Sequence, residues 1–176
     1  PAPGSSNVRP HQMPSYAKAL LEHWGIAVQD IPTSDAQQKQ ESDFLADFSG
    51  VRVLIEEKTK EDDFAYLSQR AQELESGQIH AASLPIRRDE TLSGLIRDAS
   101  HQLRSSSDKQ HDFRLMWFTA TGPLAVGKYE QFMATLYGRT NILEMSASGY
   151  RRCYYFRHSD FFRRAEVIDG AVVAHT

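Results

Sequence analysis

The stretch from Phe44 to Ile55 constrains the fold more than any other part of the chain. Phe44-Leu45-Ala46-Asp47-Phe48 and Val51-Arg52-Val53-Leu54-Ile55 are two strand-length runs separated only by Ser49-Gly50. A two-residue connection between such runs reads as a tight β-hairpin. That loop also fixes the register: Phe48 opposes Val51, Asp47 opposes Arg52, Leu45 opposes Leu54 and Asp43 opposes Glu56. Side chains alternate along a strand. One face therefore carries Asp43, Leu45, Asp47, Arg52, Leu54, Glu56 and Lys58. The other carries Phe44, Ala46, Phe48, Val51, Val53 and Ile55 and is the expected core face.

Helices and strands alternate around the hairpin. A helix is predicted from Pro14-Ser15 to Trp24, with Ala17/Leu21 and Leu20/Trp24 four residues apart and Gly25 at its C-cap. A short strand follows from Ile26 to Ile31, then a polar connector over 33–42. Asp62-Asp63 caps a helix with Phe64, Leu67, Ala71 and Leu74 on one stripe. Residues 76–90 read as irregular. A second amphipathic helix, Thr91–Arg104, aligns Leu92, Leu95, Ile96, Ala99 and Leu103. Phe113–Phe118 is an apolar strand, and Gly127–Tyr137 a third helix on the core. Strands are expected near Ile142–Met145, Cys153–Phe156 and Val167–Val173, with a helix cap at Ser159-Asp160. The pattern is α/β or α+β.

The composition suits one soluble domain: 176 residues, 40% hydrophobic and 24% charged, with no repeat. Residues 1–13 read as a flexible tail. No apolar run is long enough for a membrane span, and the start shows no basic-then-apolar leader. A lone Cys153 forbids an internal disulfide, and a cytoplasmic location is expected. The net charge of −3 excludes a globally basic coat for nucleic acid, so any polyanion must meet a local patch.

Asp43 opposite Glu56 is a like-charge pair, which costs stability unless a cation lies between the carboxylates. Two carboxylates and water suit Mg²⁺ or Mn²⁺. Lys58, on the same face, would either neutralise the pair without metal or stabilise charge on a reacting phosphate. The same residues on a strand that has left the sheet would instead form a solvated edge.

Asp43, followed on the next strand by Glu56-Glu57-Lys58, resembles the PD-(D/E)XK (restriction-endonuclease-like) nuclease superfamily, with Ser42 in place of the usual Pro. The resemblance spans about 14–119: a helix ending Trp24-Gly25, a strand, the hairpin, the helix ending Asp98-Ala99-Ser100-His101-Gln102-Leu103, and the strand Phe113–Phe118. It implies an αβββαβ core with a mixed central sheet flanked by helices, followed by a C-terminal α+β extension over 120–176 packed on the same domain. It further implies Mg²⁺ (or Mn²⁺)-dependent hydrolysis of phosphodiester bonds, with DNA as the expected substrate. The metal would sit on Asp43, Glu56 and the main-chain carbonyl of Glu57, with Glu22 of the first helix as a further acidic ligand. Lys58 would act in catalysis, and Gln102 would face the site. A catalytically inactive binding module for a nucleic-acid or protein partner is the alternative that the same fold allows.

Arg151 and Arg152, with Arg87 and Arg88, are the expected nucleic-acid contacts. The aromatics interleaved with the late arginines (Tyr150, Tyr154, Tyr155, Phe156, Phe161 and Phe162) read more simply as core. The extension could also serve a homodimer or a protein partner. Zinc is disfavoured by the single Cys and unpaired histidines. Thr121–Lys128 ends Gly-Lys but lacks the phosphate-loop spacing.

Overall fold

The computed structural model describes residues 15–32, 41–144 and 149–176. The expected tail, Pro14, most of the 33–42 connector and Met145 lie outside the described residues. The strands are β1 (Ala27–Asp30), β2 (Phe44–Phe48), β3 (Val51–Lys60), β4 (Phe113–Ala120), β5 (Arg139–Glu144), β6 (Gly149–Tyr154) and β7 (Gly170–His175). The helices are α1 (Tyr16–His23), α2 (Phe64–Glu75), α3 (Glu90–Ser105), α4 (Ala125–Tyr137) and the single turn α5 (Asp160–Arg163). Five strands form a mixed sheet in the order β1-β2-β3-β4-β7, and among the described residues β5 pairs only with β6. The first three strands are an antiparallel meander, while β4 runs parallel to β3 and β7 parallel to β4.

The hairpin has the register its loop dictates, from Phe44↔Ile55 to Phe48↔Val51. Ser49 and Gly50 both have positive φ, 58° and 97°. Two consecutive positive φ values give the mirror-image turn whose twist matches that of the flanking strands.

Helices cover both faces of the sheet. On one, Phe44, Ala46, Val53, Ile55 and Trp117 pack with Ala17 and Leu21 of α1. On the other, Leu45, Leu54, Met116 and Phe118 pack with α3 and α4 through Leu92, Ile96, Leu103, Phe132 and Leu136. The Phe118 and Phe132 rings stack at 3.9 Å. The face expected to be the charged one is thus a second core, because α3 lies across it. Each large aliphatic side chain buried there contributes about 1.5–3 kcal/mol. The hairpin tip, with Phe48 and Val51, escapes this cover.

The C-terminal region completes the sheet through β7, and Val167 and Ile168 join the same core although they precede the strand. Three expectations of burial fail. On α1, Ala17 and Leu21 are buried, whereas Leu20 and Trp24 face solvent. The apolar stripe of α2 buries no residue, and Phe64 is 83% exposed. Of the late aromatics only Phe161 packs on the core; Tyr150, Tyr154, Tyr155, Phe156 and Phe162 are exposed. These five sit on β6 and on the turns that follow it, away from the main sheet that builds the cores.

Candidate functional site

The site lies where β2 begins and β3 continues past it. β2 starts at Phe44, so β3 extends beyond its last partner on that side while β4 still pairs with it through Lys60. Asp43 stands at this step, and its Oδ2 accepts a 2.7 Å hydrogen bond from the Glu57 N–H. The N–H and C=O of one strand residue point to the same edge, so the Glu57 carbonyl also faces the step. The Ser42 N–H, which would continue the ladder to Glu57, donates instead to Ser106 Oγ at 2.8 Å.

Successive β3 side chains then diverge. Glu57 points toward α1, where its carboxylate accepts from the Ala17 N–H at 3.0 Å and from the Ser15 hydroxyl. Ser15 in turn accepts the Lys18 N–H at 3.0 Å. A carboxylate at the N-terminus of a helix answers its free N–H groups and its dipole, so Glu57 fastens α1 to the sheet. Its side chain is engaged there, which leaves its carbonyl for the site.

Glu56 and Lys58 point to the α3 side. Glu56 is fully buried, and neither of its oxygens accepts a hydrogen bond of good geometry. Lys58 Nζ approaches Glu56 Oε1 to 2.5 Å and donates to Gln102 Oε1 at 2.7 Å. Gln102 is itself held by the Glu41 carbonyl, 3.3 Å from its Nε2. Burial, followed by the neighbouring Asp43 charge, pushes the Glu56 pKa from 4.5 to about 8 against the pull of Lys58. The Asp43 carboxyl is also raised, chiefly by the protein packed around it, while the Glu57 N–H and Lys58 oppose the shift.

Two expectations about these residues change. Glu56 is not open to water, since α3 closes over it, and a solvated edge is excluded by the same burial. Glu22 is exposed on α1. Among the described residues no three His, Cys, Asp or Glu side chains converge in a way that could hold a metal ion. Asp43, Glu56, Lys58 and Gln102 do come together. Glu41 and Ser106, which position Gln102 and the step, carried no recognisable signal in the sequence.

The donor set fits a hard divalent cation. It offers two carboxylates, Asp43 and the buried Glu56, and a backbone carbonyl that β2 leaves behind. Mg²⁺ is commonly held by one or two carboxylates while it keeps several waters.

The expected nucleic-acid contacts lie elsewhere. Arg87 is exposed, and Arg151 and Arg152 are exposed on β6. Arg88 is tied into the fold: it meets Glu90, donates to Ser93 Oγ at 2.7 Å and lies 3.4 Å from the buried Asp160. Among the described residues no helix is long and apolar enough to cross a membrane. No family model, curated protein or solved structure matches this chain.

Proposed function

We propose that this protein is a nuclease of the restriction-endonuclease-like type, hydrolysing phosphodiester bonds in DNA with Mg²⁺ or Mn²⁺. One observation carries the reading: the fully buried Glu56 carboxyl beside Asp43, paired with Lys58 on the same face, which Gln102 holds. The sheet order, with an antiparallel meander followed by a parallel β4, agrees with the arrangement that the sequence resemblance implies.

Asp43, Glu56 and the Glu57 carbonyl would hold the cation, which when bound polarises the phosphate and makes water a better nucleophile. Glu56 must give up its proton to bind, so cation affinity rises with pH. Lys58, released from Glu56, would place its ammonium against the charge that grows on the phosphate oxygens. Gln102 positions Lys58 through Oε1, and its own amide is anchored by Glu41, so the ammonium has a fixed origin. Glu57 contributes its carbonyl by the stretch of β3 that α1 and Asp43 pin.

The test is cleavage of single- and double-stranded DNA and RNA with Mg²⁺, Mn²⁺, Ca²⁺ or chelator. Mg²⁺ and Mn²⁺ should support DNA cleavage, and Ca²⁺ poorly, because it is larger and less strictly octahedral. Lys58→Ala should lose most turnover and keep cation binding, whereas Glu56→Ala should lose both. A parent that cuts none of the substrates with either metal refutes the nuclease. The second reading, an inactive binding module, draws on the 2.5 Å contact by which Lys58 neutralises Glu56 without any cation.

A further inference from the structure

The segment after α4 differs in charge from the rest of the molecule. Residues 139–164 hold six arginines against two acids, whereas the other 150 residues hold 14 basic and 21 acidic side chains. The segment is therefore net basic within a chain of net −3.

Its centre is the β5–β6 ribbon. From Asn141 to Leu143 and from Gly149 to Arg152 every residue is exposed, Leu143 at 67% and Tyr150 at 74%. An isolated two-stranded ribbon is marginal in water, and this one shows apolar and aromatic surface without joining the main sheet. Its register pairs Arg139↔Tyr154, Asn141↔Arg152 and Leu143↔Tyr150. Those six side chains share one face. The Arg152 side chain has no ion pair or hydrogen bond among the described residues. At the root, Arg87, Arg88, Arg139 and His158 line a cavity of about 230 Å³. Arg139 pairs with Glu130, and its pKa is lowered by burial and then by the Arg152 charge.

We propose that the β5–β6 ribbon is a groove-reading arm for double-stranded DNA, with Asn141 and Arg152 directed at base edges and Arg87 at the phosphate backbone. The inference rests on the nuclease reading for the choice of DNA as partner. The fit is geometric. The major groove of B-form DNA, about 12 Å wide, admits a two-stranded ribbon, whereas the A-form major groove of RNA is too narrow and deep. Arginine and asparagine carry the donors that match guanine and adenine edges there, and apolar side chains such as Leu143 suit the thymine methyl. Arg88 precedes α3, and Gln102 lies fourteen residues along the chain from it. At 1.5 Å per residue of helix that separation is roughly 20 Å.

The test is fluorescence anisotropy of the full chain with a DNA duplex of about two helical turns, in chelator so that nothing is cut, over a KCl series. The Asn141→Ala/Arg152→Ala variant should bind about tenfold or more weakly. Its salt dependence should be shallower by about one in log–log slope. Arg152→Lys should recover part of the affinity, and Lys18→Ala, the loss of one charge far from the ribbon, should bind close to the parent. Both ribbon residues are exposed, so the variants should melt with the parent. Equal affinity of parent and double variant overturns the proposal, as does tighter binding of single-stranded DNA or of an RNA duplex, or a parent that binds no duplex. The nuclease reading fails separately: a parent that grips duplex DNA through the ribbon but cuts nothing refutes the nuclease and leaves the ribbon standing.

Discussion

Replacing Glu56 by Gln removes the ionisation that the fold resists most. The carboxyl titrates near 4.5 when unfolded and about 8 in the native protein, mainly because it is buried and then because Asp43 is beside it. A native pKa raised above the unfolded one means that the unfolded chain gives up its proton first. The contribution to stability is therefore complete below about pH 4.5, falls as the pH rises, and levels off above about pH 8. At about 1.4 kcal/mol for each tenfold change in proton affinity, the loss across that window is roughly 5 kcal/mol. Glu56 is fully buried, so solvent screening does not reduce the figure much. A domain of this size is stable by about 5–15 kcal/mol, so the effect is large. Urea unfolding in chelator at about pH 5 and about pH 9 measures it. The parent should be several kcal/mol weaker at the higher pH, and Glu56→Gln should be nearly level. At about pH 9 the variant should be the more stable protein. Mg²⁺ should stabilise the parent more at high pH, where the carboxyl is free of its proton. A parent whose stability stays flat or rises over the window, or a Gln variant with the same slope as the parent, refutes the reasoning.

Asp43→Asn should leave the chelated protein as stable at about pH 8 as the parent or slightly more so, because one of two like charges is gone while the oxygen that accepts the Glu57 N–H is kept. Thermal melts should also show less stabilisation by Mg²⁺ than in the parent, and an equal gain in both proteins would count against Asp43 as a ligand. Gln102→Ala frees Lys58 Nζ from its 2.7 Å partner; turnover should fall while the Mg²⁺ titration stays near that of the parent, and a parallel loss of metal binding would contradict a role through Lys58. Gly138→Ala should cost more than about 2 kcal/mol, since φ is +67° and a Cβ there would strike the Tyr155 carbonyl oxygen and lie 2.9 Å from Ser159 N. Urea unfolding reads that loss, and a melt equal to the parent's would show that the α4–β5 junction gives more freely than its geometry implies.

The hairpin was legible because period-two alternation and a two-residue loop leave one register, and that register alone brings Asp43 beside Glu56. Gln102 was legible only through its place in a resemblance; its own helix pattern says nothing about Lys58. Burial was harder to read, because it depends on what lies above a face. Leu45, Leu54 and Glu56 share a face with Asp47 and Arg52, and only the packing of α3 makes the first three core. The same limit explains the late aromatics. Tyr150 and Tyr154 have the composition of a core strand, but among the described residues β5 and β6 pair with each other alone, and both side chains are exposed. The bonds that finish the site, Ser42 to Ser106 and Glu57 to Ala17, join residues 64 and 40 positions apart through single polar atoms, which no local pattern encodes.

The most direct test of the metal site is a crystal soaked in Mn²⁺ and measured for anomalous scattering. The account predicts one peak within reach of the Asp43 and Glu56 carboxylates and the Glu57 carbonyl, with Lys58 Nζ moved away from Glu56 Oε1. No peak at millimolar Mn²⁺ above about pH 8, with Lys58 still in its ion pair with Glu56, would contradict it.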